Sequence, residues 1–227
     1  MDQKQEIKTR CPLNIDECPV SDEIRRLQEE CDRLRELSQI DALTGYFNYR
    51  YLLNALEGEM ERTRRTALPT GLIMVDLDNF KQVNDHYGHE TGNIALKWCT
   101  KIWRSKIRRI DVPCRYGGEE FAFILPGTPL PQTVQAAERL RSGLENETLE
   151  FEQHKIKLTA SFGVEAYNGK GKMSVKAFIR RADRSLLEAK TGGRNRVCYE
   201  EIEHREPSTE ITEKEREALY TRKNPAV

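Results

Sequence analysis

Two adjacent carboxylates follow two adjacent glycines in Arg115-Tyr116-Gly117-Gly118-Glu119-Glu120-Phe121, and this stretch is the chemical centre of the sequence. Gly-Gly before the β-forming run Phe121-Ala122-Phe123-Ile124-Leu125 predicts a tight hairpin with both glycines at positive φ, which the favoured two-residue turns require. Successive strand side chains point to opposite faces, so Glu119 and Glu120 cannot both escape to one solvated side. A bare turn also lets a phosphate or sugar approach the backbone closely. A second acidic point, Asp76-Leu77-Asp78, ends the apolar run from Gly71 to Val75. That pattern suits a buried central strand whose C-terminal end opens into a site, with Asp76 and Asp78 sharing a face. The third point is basic: Lys190 and Arg194, at the end of the last long helical pattern. If the hairpin pairs beside the Asp76 strand, carboxylates meet at one edge and raise one another's pKa. A hard divalent cation resolves that repulsion, and Mg²⁺ typically takes one or two carboxylates plus substrate phosphates. Phosphoryl-transfer sites use two such ions, and the lysine and arginine would grip the outer phosphates. Singly, each piece has a plainer explanation: a solvated hairpin tip, a helix cap at Asp78, a solvated helix end at Lys190. Together they point to phosphoryl transfer.

The elements that must position these groups are legible in the periodicity. A helical pattern runs from Phe47 to Ala67, then the Gly71–Asp78 strand, a helical turn over 79–85 ended by His86-Tyr87-Gly88-His89, and a long helix from Glu90 to Ile110 with Ile94, Leu96, Trp98 and Ile102 inward. The hairpin follows, then a helix over Pro131–Glu147, a strand over Ile156–Tyr167 interrupted by Gly163, a helix over Val175–Lys190 stopped by Gly192-Gly193, and a short strand Arg196–Tyr199. Hairpin-linked strands alternating with helices predict an α+β fold whose mixed, mainly antiparallel sheet is covered by helices. Ahead of it, residues 1–20 read as an irregular arm. Residues 21–40 carry Ile24, Leu27, Cys31 and Leu34 at the spacing of a coiled-coil signalling helix; an amphipathic helix lying on its own domain is the plainer alternative. The domain proper spans 41–200, and 201–227 form a charged tail.

Composition narrows the function classes. Lysine plus arginine balance aspartate plus glutamate, 37 against 37, so charge offers nothing to nucleic acid or an acidic membrane. No run approaches the ~18 apolar residues of a membrane span, and Met1–Lys8 lacks a signal-peptide pattern; the expected setting is soluble and cytoplasmic. Six scattered cysteines without a Cys-x-x-Cys pair read as free thiols; Cys11 and Cys18 are the pair to watch.

Five segments in order resemble the GGDEF family of diguanylate cyclases: Asp41-Ala-Leu-Thr-Gly45, Asp76-Leu-Asp-Asn-Phe-Lys-Gln-Val-Asn84-Asp85, Tyr87-Gly-His89, the Arg115–Phe121 signature in its Glu-Glu form, and Ala189-Lys190-Thr-Gly-Gly-Arg194-Asn195. The resemblance covers roughly residues 40–200. It implies a palm-like fold related to the ferredoxin-like nucleotide cyclases. It also implies a homodimeric enzyme that condenses two GTP into cyclic di-GMP, with magnesium or manganese as cofactor, two ions per active site. By the same resemblance, Asp76, the Leu77 carbonyl, Glu119 and Glu120 are metal ligands. Either glutamate assists 3′-hydroxyl deprotonation, and Asp76, Glu119 and Glu120 form the catalytic set. Gly117 and Gly118 lie against the α-phosphate and ribose. Phe80 and Lys81 offer backbone amides to the terminal phosphates, joined by Lys190 and Arg194, and Asn84 reads the guanine edge. Asn93 stands where the family usually has an aspartate, which weakens guanine preference and leaves a cyclic GMP-AMP synthase as the alternative product class. Arg108 and Asp111 match the family's product-inhibition motif. A non-catalytic cyclic di-GMP-binding module is the rival from another class; the retained acids count against it.

Overall fold

The computed structural model describes residues 23–30 and 39–200. The arm with Cys11 and Cys18, the second half of the coiled-coil seam (Cys31, Leu34) and the tail beyond Glu200 lie outside the described residues. Residues 23–30 are helical (α1), with Ile24 and Leu27 exposed; over this stretch the apolar stripe is not laid onto the domain.

The domain then runs α2 (Tyr49–Thr66), β1 (Thr70–Leu77), α3 (Phe80–Arg104), β2 (Val112–Gly117), β3 (Glu120–Leu125), α4 (Leu130–Glu145), β4 (Leu149–Phe151), β5 (His154–Ile156), β6 (Ala160–Tyr167), α5 (Val175–Thr191) and β7 (Val197–Tyr199). The five-stranded sheet has the order β2-β3-β1-β6-β7. All its pairings are antiparallel except β6 with β7. Leaving β7 and the β4–β5 hairpin aside, β1-α3-β2-β3-α4-β6 is the ferredoxin-like βαββαβ arrangement, as the sequence implied.

β1 is buried along its whole length because helices cover both faces of the sheet. Ile73, Val75 and Leu77 pack with Phe121, Phe123 and Phe162 under α3 and α4. Leu72 and Met74 pack with Ala122 and Ile124 under α2 and α5. The alternation of β1 therefore directs Asp76 to the α2–α5 face. None of the described helices is long and apolar enough to cross a membrane.

Three local expectations need correction. The long helix ends at Arg104 rather than Ile110; the chain then turns, and the Asp111 carboxylate accepts from Arg108 N at 2.8 Å, closing a loop that helix could not provide. Its most deeply buried positions are Ala95, Leu96, Cys99 and Trp103, with Ile94, Trp98 and Ile102 only partly covered. The stretch read as one strand from Ile156 is two: β5 ends at Ile156 and β6 begins at Ala160. The β4–β5 hairpin carries too few residues per strand to show a period, and its turn places Glu152 at φ 53.

Candidate functional site at the C-terminal end of the central strand

The hairpin pairs beside β1 as expected, with Asp76 opposite Glu120 in register. Cross-strand partners project from the same face, so both carboxylates face α5. The turn itself differs from expectation. Gly117 is the last residue of β2 and pairs with Glu120, so the two linking residues are Gly118 and Glu119. Of the two glycines only Gly118 has positive φ, at 20°. A shift of register between Arg115 and Gly117 consumes the extra residue, and this one-residue displacement places Glu119 in the turn rather than on the strand. Leu77 N donates to the Glu119 carbonyl at 3.3 Å, closing the end of the β1–β3 ladder.

From α5, Lys190 brings its ammonium to 2.7 Å from Asp76 Oδ2. α5 reaches this position because Gly163 of β6 allows it: a Cβ there would lie 2.1 Å from the Ala182 carbonyl and 2.3 Å from Leu186 N. Burial pushes the Asp76 carboxyl upward, opposed chiefly by Lys190. Burial also raises Glu119, with Asp76 and Glu120 adding like charge and Lys190 opposing them. A crowded acidic set with one cation among it is the donor chemistry a hard divalent ion fits. Among the described residues no three His, Cys, Asp or Glu groups are already arranged for a metal ion; the ammonium occupies the Asp76 corner instead.

Asp78 does not join this set. Its carboxylate accepts from Ser161 Oγ at 2.6 Å, Thr159 Oγ1 at 2.8 Å and Asn195 N at 3.0 Å. Nor does it cap α3, whose N-cap residue, Asn79, sits at φ 55 and makes no side-chain capping bond. Asp78 ties β1 to β6 and to the loop that carries Arg194, which is itself left-handed at φ 61. The same loop is held from α4, where Glu145 Oε1 accepts from Asn195 Nδ2 at 2.8 Å and Arg141 Nη1 donates to Asn195 Oδ1 at 3.1 Å. The uncapped first turn of α3, with Phe80 buried and Lys81 exposed, presents orphan N–H groups of the kind that receive phosphate.

Gly88, at φ 83 and ψ 161, breaks α3. The break folds its first turns against the rest, so that the Asn84 carboxamide lies on Gly92, where a Cβ would meet Oδ1 at 1.9 Å. Asn93 follows directly and is exposed, so the break brings both expected base-reading residues to the same part of α3.

At the far end of β2, Asp111 is 5% exposed. Its Oδ2 takes Arg108 N, while Oδ1 has no hydrogen-bond partner among the described residues. Burial raises its pKa, opposed by Arg108 and by Arg139 from α4.

Comparison with known proteins decides the family. The family described as "Diguanylate cyclase, GGDEF domain" matches residues 38–196. The chain belongs to the GGDEF family. The response regulator PleD of Caulobacter vibrioides is 35% identical over 195 residues, 85% of this chain and 42% of that protein. Diguanylate cyclase A of Treponema denticola is 40% identical over 147 residues, 65% of this chain and 38% of that protein. Among solved structures, the diguanylate cyclase SiaD of Pseudomonas aeruginosa, in complex with its activator SiaC, superposes with a TM-score of 0.69 at 34% identity, over 80% of this chain and 69% of that one. The chain spans about two fifths of the length of the curated relatives it matches.

Within this GGDEF domain, the structure adds residues that sequence reasoning missed. Asp183 lies two helical turns before Lys190 on α5, half-buried, its pKa raised by burial and by Glu120 and lowered by Lys190. Its spacing of seven from Lys190 was a usable signal, since such residues share a helix face. Arg139 facing Asp111, and the bonding of Asn195 by Arg141 and Glu145, had no such signal, because these partners are remote in sequence.

Proposed function

We propose that this GGDEF domain condenses two molecules of GTP into cyclic di-GMP with release of two pyrophosphates, acting as a homodimer. The supporting observation is the convergence of Asp76, Glu119 and Glu120 at the end of β1 and β3, with Lys190 2.7 Å from Asp76. Asp76, the Leu77 carbonyl, Glu119 and Glu120 would hold magnesium or manganese, two ions per active site. When bound, such ions neutralise phosphate charge and lower the pKa of the attacking hydroxyl. Lys190 would leave Asp76 for the outer phosphates, joined by Arg194 and the α3 amides at Phe80 and Lys81. Gly117 and Gly118, without side chains, let the α-phosphate and ribose lie on the turn. Glu119 or Glu120 accepts the 3′-hydroxyl proton; burial raises the Glu119 carboxyl, which suits that task by increasing basicity. One domain holds one nucleotide, so ring closure needs a second domain facing it; the exposed Ile24 and Leu27 of α1 offer a surface for pairing.

Asn93 favours a second product. Its carboxamide can donate as well as accept, so adenine is less strongly refused than by a carboxylate, and cyclic GMP-AMP becomes accessible beside a main product of cyclic di-GMP. Incubation with equimolar GTP, ATP and Mg²⁺ followed by chromatography tests both readings. Predominant cyclic di-GMP is expected; predominant mixed product would overturn the guanine preference, and no turnover by a folded dimer would favour a cyclic di-GMP-binding module. The match of Arg108 and Asp111 to the family's motif supports product inhibition by a guanine edge and phosphate; Asp111 Oδ1, unpartnered but buried, would have to be uncovered to take part. Arg108→Ala should raise the plateau of product formation, and an unchanged plateau would remove that part of the reading.

A further inference from the structure

Arg115 uses its whole guanidinium. Nη1 donates to both oxygens of Asp41, at 3.1 and 3.2 Å, while Nε and Nη2 donate to the Gly118 carbonyl at 3.1 and 2.8 Å. The Arg115 and Asp41 side chains are only 17% and 22% exposed, so this pair is better shielded than an ordinary surface ion pair. Asp41 is fixed in turn, its Oδ1 accepting from Thr44 N at 2.9 Å and Thr44 Oγ1 at 2.6 Å. The hydrogen bonds from Thr44 and the charge of Arg115 hold its carboxyl below the usual range despite burial.

The loop that supplies Asp41 does not depend on this contact for its place. Tyr46 Oη donates to the Thr100 carbonyl at 2.8 Å, Phe47 N to Pro113 O at 3.1 Å, and Arg115 N to Phe47 O at 2.7 Å. The turn has the weaker independent support. Its ladder shifts register between Arg115 and Gly117, and Gly118, at φ 20, has no side chain to restrict the turn or pack it in place. Its conformation is therefore fixed by the groups that hold its carbonyl. The Arg115 fork grips the carbonyl immediately before Glu119, and the Glu119 carbonyl accepts from Leu77 N, next to Asp76.

We propose that Arg115 is a positioning residue: braced on Asp41, it sets the Gly118–Glu119 turn against β1, so that the geometry of the acids depends on the loop over residues 41–47. A lysine has one point charge and cannot serve the carboxylate and the carbonyl together. The consequence for turnover rests on the cyclase reading above; the consequence for the turn does not.

Arg115→Lys and Asp41→Asn, singly and together in the full chain, provide the test. Amide exchange at Leu77 should quicken by about tenfold or more in both single variants while Ile73 and Val75 exchange as in the parent, since local opening leaves the strand interior protected. GTP turnover should lose roughly 10- to 100-fold in kcat with KM within about threefold, the pattern of a group that acts on the reacting geometry rather than on uniform binding. The double variant should be no worse than the weaker single variant, because both break one unit. Unchanged Leu77 exchange in folded variants, or losses that multiply, would overturn the proposal. A parent protein that does not turn over GTP would defeat the cyclase reading alone, with the exchange measurement still deciding the role of Arg115.

Discussion

Asn84 and Gly92 show how much of this site depends on single atoms. A methyl at Gly92 would sit 1.9 Å from Asn84 Oδ1, so Gly92→Ala must displace the carboxamide proposed to read the base. Losing one such hydrogen bond costs on the order of 1 kcal/mol, and KM for GTP should rise between a few-fold and tenfold with melting little changed; steady-state kinetics on the folded variant check this. Asp76 and Glu119 behave differently. Burial raises both carboxyls, so as carboxylates they oppose folding of the metal-free protein. Glu119→Gln should therefore leave metal-free stability equal or higher at neutral pH, read by thermal melting, while GTP turnover falls by about 10²-fold or more, as when a group acting only in the transition state is lost. At this scale the sequence was informative where a motif fixed the residue, as at Asp76, Glu119, Glu120 and Lys190. It misled at Asp78, because a carboxylate two residues from Asp76 is not distinguishable in sequence from one spent on Ser161, Thr159 and Asn195.

Between elements, the decisive contact is α5 on β6. Gly163 was legible only as an interruption in an alternating strand; its reason is that Ala182 and Leu186 of α5 leave no room for a Cβ. Both obstructing groups are backbone, so Gly163→Ala cannot be absorbed by a rotamer change and should cost roughly 1–3 kcal/mol as overpacking does. Because Lys190 rides on the same helix, turnover should fall further than the loss of folded protein explains; denaturant unfolding paired with activity per folded molecule separates the two. The hairpin teaches a related lesson. Gly117-Gly118 announced a turn, but the register shift between Arg115 and Gly117 moved it one residue onward, and bulges of this sort are set by neighbouring strands and not by local preference.

For the molecule as a whole, a buried carboxylate on β6 belongs neither to the acidic set at Asp76 nor to the bonds made by Asp78. Glu165 on β6 is 3% exposed and raised, mainly by burial, with its own neighbour Ala166 N at 2.9 Å opposing the shift. A carboxyl raised on folding contributes stability below its unfolded pKa and loses it as pH climbs through the folded value. Glu165→Gln should thus flatten the fall in stability from acidic to neutral pH, leaving the variant more stable than the parent at neutral pH and nearly equal to it in acid; unfolding midpoints at the two pH values decide it. The proposed catalysis by a dimer is tested at this scale too. Specific activity should rise with protein concentration until dimers saturate, and activity independent of concentration well below the dimer dissociation constant would argue against it. By itself the sequence determined the alternation of strands and helices and the acids, glycines and cations of the signature, because periodicity and motif spacing are local properties of the chain; the ferredoxin-like class came from the family resemblance that this signature carries. Only the tertiary structure decided which face Asp76 takes, that Asp78 is structural, that Lys190 meets Asp76, and that Arg115 joins Asp41 to the Gly118–Glu119 turn. Those outcomes depend on register between strands and on helices seated across them, contacts between residues up to 117 positions apart that no local window contains.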